Sequence, residues 1–146
     1  MVEAKREGRT FALPLVPQKP CVALSSLCSG YHDIKKPIEQ AAEYAQRMGI
    51  EYVVVSNGHQ LVAFIGSRTD GCSPSRGKCL IFPSLESMLR DFRLMWNSLS
   101  PLGIENRGLS AVLCDRPVPQ LPPKLSEQIN GYPGEKMRNI FQADLF

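Results

Sequence analysis

The chain has 146 residues, 43% of them apolar and 21% charged, and a net charge of +3. That length and balance suit one domain with a real core and exclude a disordered chain, while the net charge is too small to announce a nucleic-acid partner by itself. No apolar run approaches the ~20 residues that span a bilayer, and the charged amino terminus lacks a signal peptide's apolar core, so a cytosolic protein without membrane association is expected.

The first predicted element is a short strand in "VEAKREG". Glu3 and Lys5 stand two apart, so on a strand they project from one face. A metal-dependent nuclease uses such a pair, and so does a surface strand of alternating charge; the stretch alone leaves both open. Lys5, Arg6, Arg9, Lys19, Lys35 and Lys36 give this part of the chain a basic bias that suits phosphate. "TFALPLVPQKP" carries Pro14, Pro17 and Pro20 and reads as a loop or edge segment. "CVALSSLCSGYHD" leads to a helix, with Asp33 expected as its N-cap, Pro37 in its first turn and Gly49 as its stop. Ile38, Ala41, Ala42, Ala45 and Met48 form its apolar stripe, and Gln40 and Tyr44, four apart, share a flank.

"EYVVVSNGHQLVAFIG" predicts two strands around Asn57-Gly58, read as a tight type I′ hairpin. The unbroken apolar run Tyr52 to Val55 predicts a strand covered on both faces. "RTDGCSPSRG" reads as a polar loop and "KCLIF" as another strand. Ser84 is expected to cap an amphipathic helix whose Leu85, Met88, Leu89, Phe92, Met95, Trp96 and Leu99 lie in the core. The expected organisation is an α/β unit over 1–114, a proline-rich linker over 115–124 ("DRPVPQLPPK") and the start of a helical segment over 125–146. In that segment Pro133 stands near the first turn of a helix with Met137, Ile140, Phe141 and Leu145 on one side.

The odd count of five cysteines suits free thiols. Cys21 with Cys28 and Cys72 with Cys79 allow a zinc site to be imagined, but their gaps of six residues exceed the usual knuckle. His32 and His59 fall in no ligand pattern and read as loop residues.

In this order, "VEAKREG", the helix carrying "QAAEY" and the hairpin of "IEQAAEYAQRMGIEYVVVSNGHQLVAF" resemble the PD-(D/E)XK nuclease family. The likeness is to the nuclease-like domain at the amino end of type I restriction motor subunits, and it runs from Val2 to about Leu99. It implies a restriction endonuclease-like mixed central sheet flanked by helices, and metal-dependent hydrolysis of nucleic-acid phosphodiesters, DNA favoured over RNA, in a larger restriction or defence protein. It further implies Mg2+ or Mn2+ as cofactor, with Glu3 a ligand and the carbonyl of Ala4 a second, and Lys5 positioning the attacking water and stabilising charge at the phosphate. Gln40 and Tyr44 would orient the nucleic-acid backbone or the active-site strand.

The family's acidic residue on the preceding strand has no counterpart beside Met1 and Val2. The resemblance is therefore to a domain with its early strands missing, and these 146 residues alone are expected to be inactive. The family couples to NTPase domains, fused or partnered, and self-association stays open. The alternative reading is a catalytically inactive, nuclease-derived binding or assembly module.

Overall fold

The computed structural model describes residues 2–4, 11–14, 20–68 and 76–121, with the backbone only at Glu3 and Ala4. In chain order these form β1 (Val2–Ala4), β2 (Cys21–Ala23), α1 (Leu24–Gly30), α2 (His32–Met48), β3 (Tyr52–Ser56), β4 (Leu61–Ile65), β5 (Lys78–Phe82), α3 (Leu85–Arg90), α4 (Phe92–Leu99), α5 (Pro101–Glu105) and α6 (Gly108–Leu113). The five strands make one sheet in the order β1-β3-β4-β5-β2. β1 is parallel to β3, and the other neighbours are antiparallel. The class is α/β with a mixed sheet, as the alternation of apolar runs and helical stripes implied. Among the described residues no helix is long and apolar enough to cross a membrane.

Successive side chains on a strand point to opposite faces, and both faces here are covered. Val53, Val55, Val62 and Phe64 meet Ile34, Ile38, Ala41 and Ala45 of α2, with Leu24 and Leu27 of α1. On the other face Ala63, Leu80 and Phe82 meet Leu109, Val112 and Leu113 of α6. The run Tyr52 to Val55 is apolar throughout because its two sides serve two different helix layers. Each large aliphatic or aromatic side chain fully withdrawn from water contributes about 1.5–3 kcal/mol.

Several local expectations are corrected. α2 begins at His32 with Tyr31 as N-cap and no side-chain cap, so Asp33 lies in the first turn, where a carboxylate still favours the helix dipole. Pro37 is inside the helix, whereas Gly49 ends it in the left-handed conformation, φ 65°, as a stop residue should. Met48 is 61% exposed and does not belong to the buried stripe. The hairpin does not close with a two-residue turn. Ser56 pairs with Leu61, residues 57–60 form the connection, and Gly58 alone within it has positive φ. The Asn57 side chain explains the difference: its Oδ1 accepts from the backbone N–H groups of His59 and Gln60, building the turn in place of the backbone.

The expected helix after Ser84 is two helices. Ser84 does cap α3, in a reciprocal pair with Ser87, but the run turns at Asp91 before α4. Met88, Met95 and Leu99 pack partly against the core, while Leu85 and Phe92 are 50% exposed and Leu89 is 76% exposed. The apolar arc is wider than the surface the sheet offers it, so only its inner half is covered. The proline-rich stretch remains on the folded unit through Leu121: Val118 packs against the core, and the buried Leu121 donates its N–H to Asn97 Oδ1 at 3.3 Å. Residues 122–146, including the helix expected from Pro133, lie outside the described residues.

Candidate functional site at the end of the parallel strand pair

β1 registers Val2 against Val54, Glu3 against Val55 and Ala4 against Ser56, so it finishes beside the end of β3. The connection from Gly49 to Tyr52 is short and tied by hydrogen bonds from Ile50 N to Ala45 O and from Gly66 N to Glu51 O, both 2.8 Å. That tether sends α2 back antiparallel to β3. The amino end of α2, with His32 and Asp33, therefore stands at the same end of the sheet as the carboxyl end of β1. Parallel strands joined through a helix place ligands outside their carboxyl ends, and a helix amino terminus there favours an anion.

The turn at this end is held by a buried polar network. Gln60 Oε1 accepts from Phe11 N–H at 2.7 Å and from Asn57 Nδ2 at 2.9 Å, and Gln60 Nε2 donates to Phe11 O at 2.8 Å. Ser56 Oγ donates to Gln60 O at 2.8 Å and accepts from Gly58 N–H. The amide of Gln60 thus acts as a strand-like partner for the segment 11–14 and fixes it beside the turn.

The structure brings some of the sequence-derived residues together and leaves others apart. Glu3 and Ala4 lie on β1 as expected; their side chains and the whole of Lys5 are outside the described residues. Gln40 and Tyr44 share a flank of α2 on its exposed side, Tyr44 at 53%, turned away from the face where Ile38, Ala41 and Ala45 meet the sheet. Among the described residues no group of three or more His, Cys, Asp or Glu converges to hold a metal.

The imagined zinc site is corrected. Cys79 is in the core beneath α1 and α2 and donates to Val22 O, while Cys21 lies on the opposite face and contacts Val112 O. Two thiols on opposite faces of one sheet cannot share an ion; Cys72 is outside the described residues. Burial pushes the Cys21 thiol up to about 11 and that of Cys79 up to about 12 from 9.0. Both are poor nucleophiles near neutrality. Iodoacetamide at pH 8 is expected to modify the exposed Cys114 and to spare Cys21 and Cys79 until the protein unfolds, as mapped by peptide mass spectrometry. The Cys79 thiol is held protonated by the fold, so its contribution to stability is complete below pH 9 and is lost as pH rises from 9 to about 12. A Cys79→Ala variant should show a correspondingly shallower alkaline loss of stability.

The other end of the sheet carries a cleft of about 240 Å³ between Ile65, Arg68, Arg76, Lys78 and Leu113. Lys78 is paired with Asp115 there. Periodicity and motif spacing do not reveal this basic grouping, because Arg68 and Arg76 both belong to the stretch read as a polar loop and line one cleft only when β4 and β5 pair. Comparison with protein-family models, with curated proteins and with solved structures produces no match for this chain.

Proposed function

We propose that the chain is a restriction endonuclease-like module that engages nucleic acid, DNA in preference to RNA, for metal-dependent phosphodiester hydrolysis. The observation that supports this reading most directly is the β1–α2–β3 unit, in which the strand carrying Glu3 runs parallel to β3 and ends beside the start of α2. The backbone carbonyl of Ala4 and the carboxylate of Glu3 are hard oxygen donors, matching Mg2+ or Mn2+ in kind but too few to cage it. Such an ion, when bound, polarises the phosphate and lowers the pKa of a bound water. Lys5 supplies fixed positive charge for the phosphate oxygens, and Gln40 and Tyr44 hydrogen-bond the nucleic-acid backbone from the exposed flank of α2.

One carboxylate on β1 is the specific observation favouring a second reading, in which the module binds nucleic acid or assembles with a partner, including an NTPase, without cutting. Cleavage assays on labelled DNA with Mg2+, Mn2+ or chelator separate the two. The 146-residue chain is expected to bind DNA in a salt-dependent way and to cut it poorly. A longer gene product that supplies an aspartate on a preceding strand is expected to cut only with metal. In it Lys5→Ala should lower cutting on the order of 10²–10³-fold while folding and most binding persist. Normal cutting by the substituted protein overturns the role of Lys5. Efficient metal-dependent cutting by the 146 residues alone would make Asp33 or Glu7 the replacement ligand, read by loss of activity in Asp33→Asn and Glu7→Gln.

A further inference from the structure

The uncovered half of the α3–α4 arc is a continuous apolar stripe. Leu85, Leu89 and Phe92 are each at least half exposed, and the half-buried Trp96 continues the line, its ring stacked on Phe92 with centroids 6.1 Å apart. Leu85 and Leu89 stand four apart on α3, and Phe92 and Trp96 four apart on α4, so each pair shares a side of its own helix. The last described residues also lie beside this path. Leu121 N–H is bound to Asn97 Oδ1, and Asn97 Nδ2 donates to Gln120 Oε1 at 3.2 Å, so the last described residues are held against α4.

Beyond Leu121 the sequence runs on through residues 122–146, of which 133–146 carry Met137, Ile140, Phe141 and Leu145 at helical spacing. The stretch 122–132 reaches up to roughly 36 Å when extended. The distance along α4 and α3 from Asn97 to Leu85 is well inside that, at about 18 Å of helical rise. The stripe has no cover among the described residues, a complementary stripe stands on the same chain, and the tether between them is anchored next to the first. Pairing of the two is therefore effectively intramolecular.

We infer that the segment 133–146 docks its Met137, Ile140, Phe141 and Leu145 side on the Leu85, Leu89, Phe92 and Trp96 stripe of α3 and α4, as a cover in cis. Leu121, held against α4 through Asn97, sets where the tether starts. The occupant is this chain's own segment, because its tether begins within that reach; a second copy would have to find the stripe at solution concentration.

Trp96 is the single tryptophan of the chain and lies in the stripe, so its fluorescence reports the docking directly. In the full chain, the double substitution Ile140→Asp with Phe141→Asp is expected to shift Trp96 emission to the red and to raise its quenching by acrylamide. Circular dichroism and the melting transition of the α/β unit should stay those of an intact fold. Leu89→Asp, made on the exposed side of α3, should give the same direction of change, and the triple variant should add little to either. The effect is expected to be independent of protein concentration. An unchanged emission in the Ile140→Asp, Phe141→Asp variant overturns the inference, as does a wild-type Trp96 already as quenchable as in that variant. A shift that appears only at high concentration, together with self-association of the full chain, overturns it in favour of a second copy.

Discussion

Gly108→Ala is expected to destabilise the protein by about 3 kcal/mol, near the upper end for overpacking a core and a large share of a typical folding free energy. A methyl group on Gly108 would be driven into the carbonyl oxygen of Asn97, and it would also stand 3.0 Å from the Asn97 carbonyl carbon and 3.1 Å from Gly103 O. All three obstacles are backbone, so no flexible side chain can yield. Gly103 presses on the same carbonyl, with its would-be Cβ 2.6 Å from Asn97 O. The two glycines are what let α4, α5 and α6 fold back on one another in such short lengths. For a chain of this size the loss corresponds to a fall in melting temperature of about 10 °C. Gly30→Ala is the control, since nothing lies within 4 Å of the added methyl and Gly30 closes a helix. It should be neutral or slightly stabilising.

A second substitution with a large effect is Gln60→Met, which keeps length and volume but removes the amide. The Phe11 N–H and C=O would each lose a partner in a buried place, and Asn57 Nδ2 would lose this acceptor. An unmade buried hydrogen bond costs about 1–3 kcal/mol, so a total of about 2–4 kcal/mol is expected. Because Phe11 and Leu13 are buried through this anchorage, the loss should be felt first at the segment 11–14. Amide exchange at Phe11 is expected to approach the unprotected rate while the β3–β4 amides stay protected. Equal loss of protection in both places would mean that Gln60 supports the whole sheet and not one segment.

The parts of this fold that can be read from sequence are those whose signals are local. β3, β4 and β5 show as apolar β-branched runs, α2 as a stripe closed by Gly49, and the start of α3 as Ser84. α1 is not legible, because "LSSLCSG" is one short, serine-rich stretch whose helicity depends on burying Leu24 and Leu27. α5 and α6 are shorter still, and their limits, Ser100 with Pro101 and Arg107 with Gly108, acquire meaning only once α4 is in place beside them. The stripe on α3 and α4 is visible, but periodicity cannot say which half of a wide arc meets the sheet. At the candidate site, Glu3 and the Gln40–Tyr44 pair stand out by type and spacing. Gln60 does not, since nothing in "SNGHQ" marks a glutamine whose partner is the backbone of residue 11.

Both outer strands of the sheet precede the other three in sequence, and each is matched to a strand made much later. Val2 needs Val54, and Cys21 needs Leu80. A polypeptide that emerges from the ribosome amino end first must therefore keep these two strands waiting while the β3–β4–β5 meander is produced. β2 can settle only after the whole of β5 has emerged, and closing these long loops carries the largest entropic cost in the sheet. The strands synthesised earlier are the later ones to find their places.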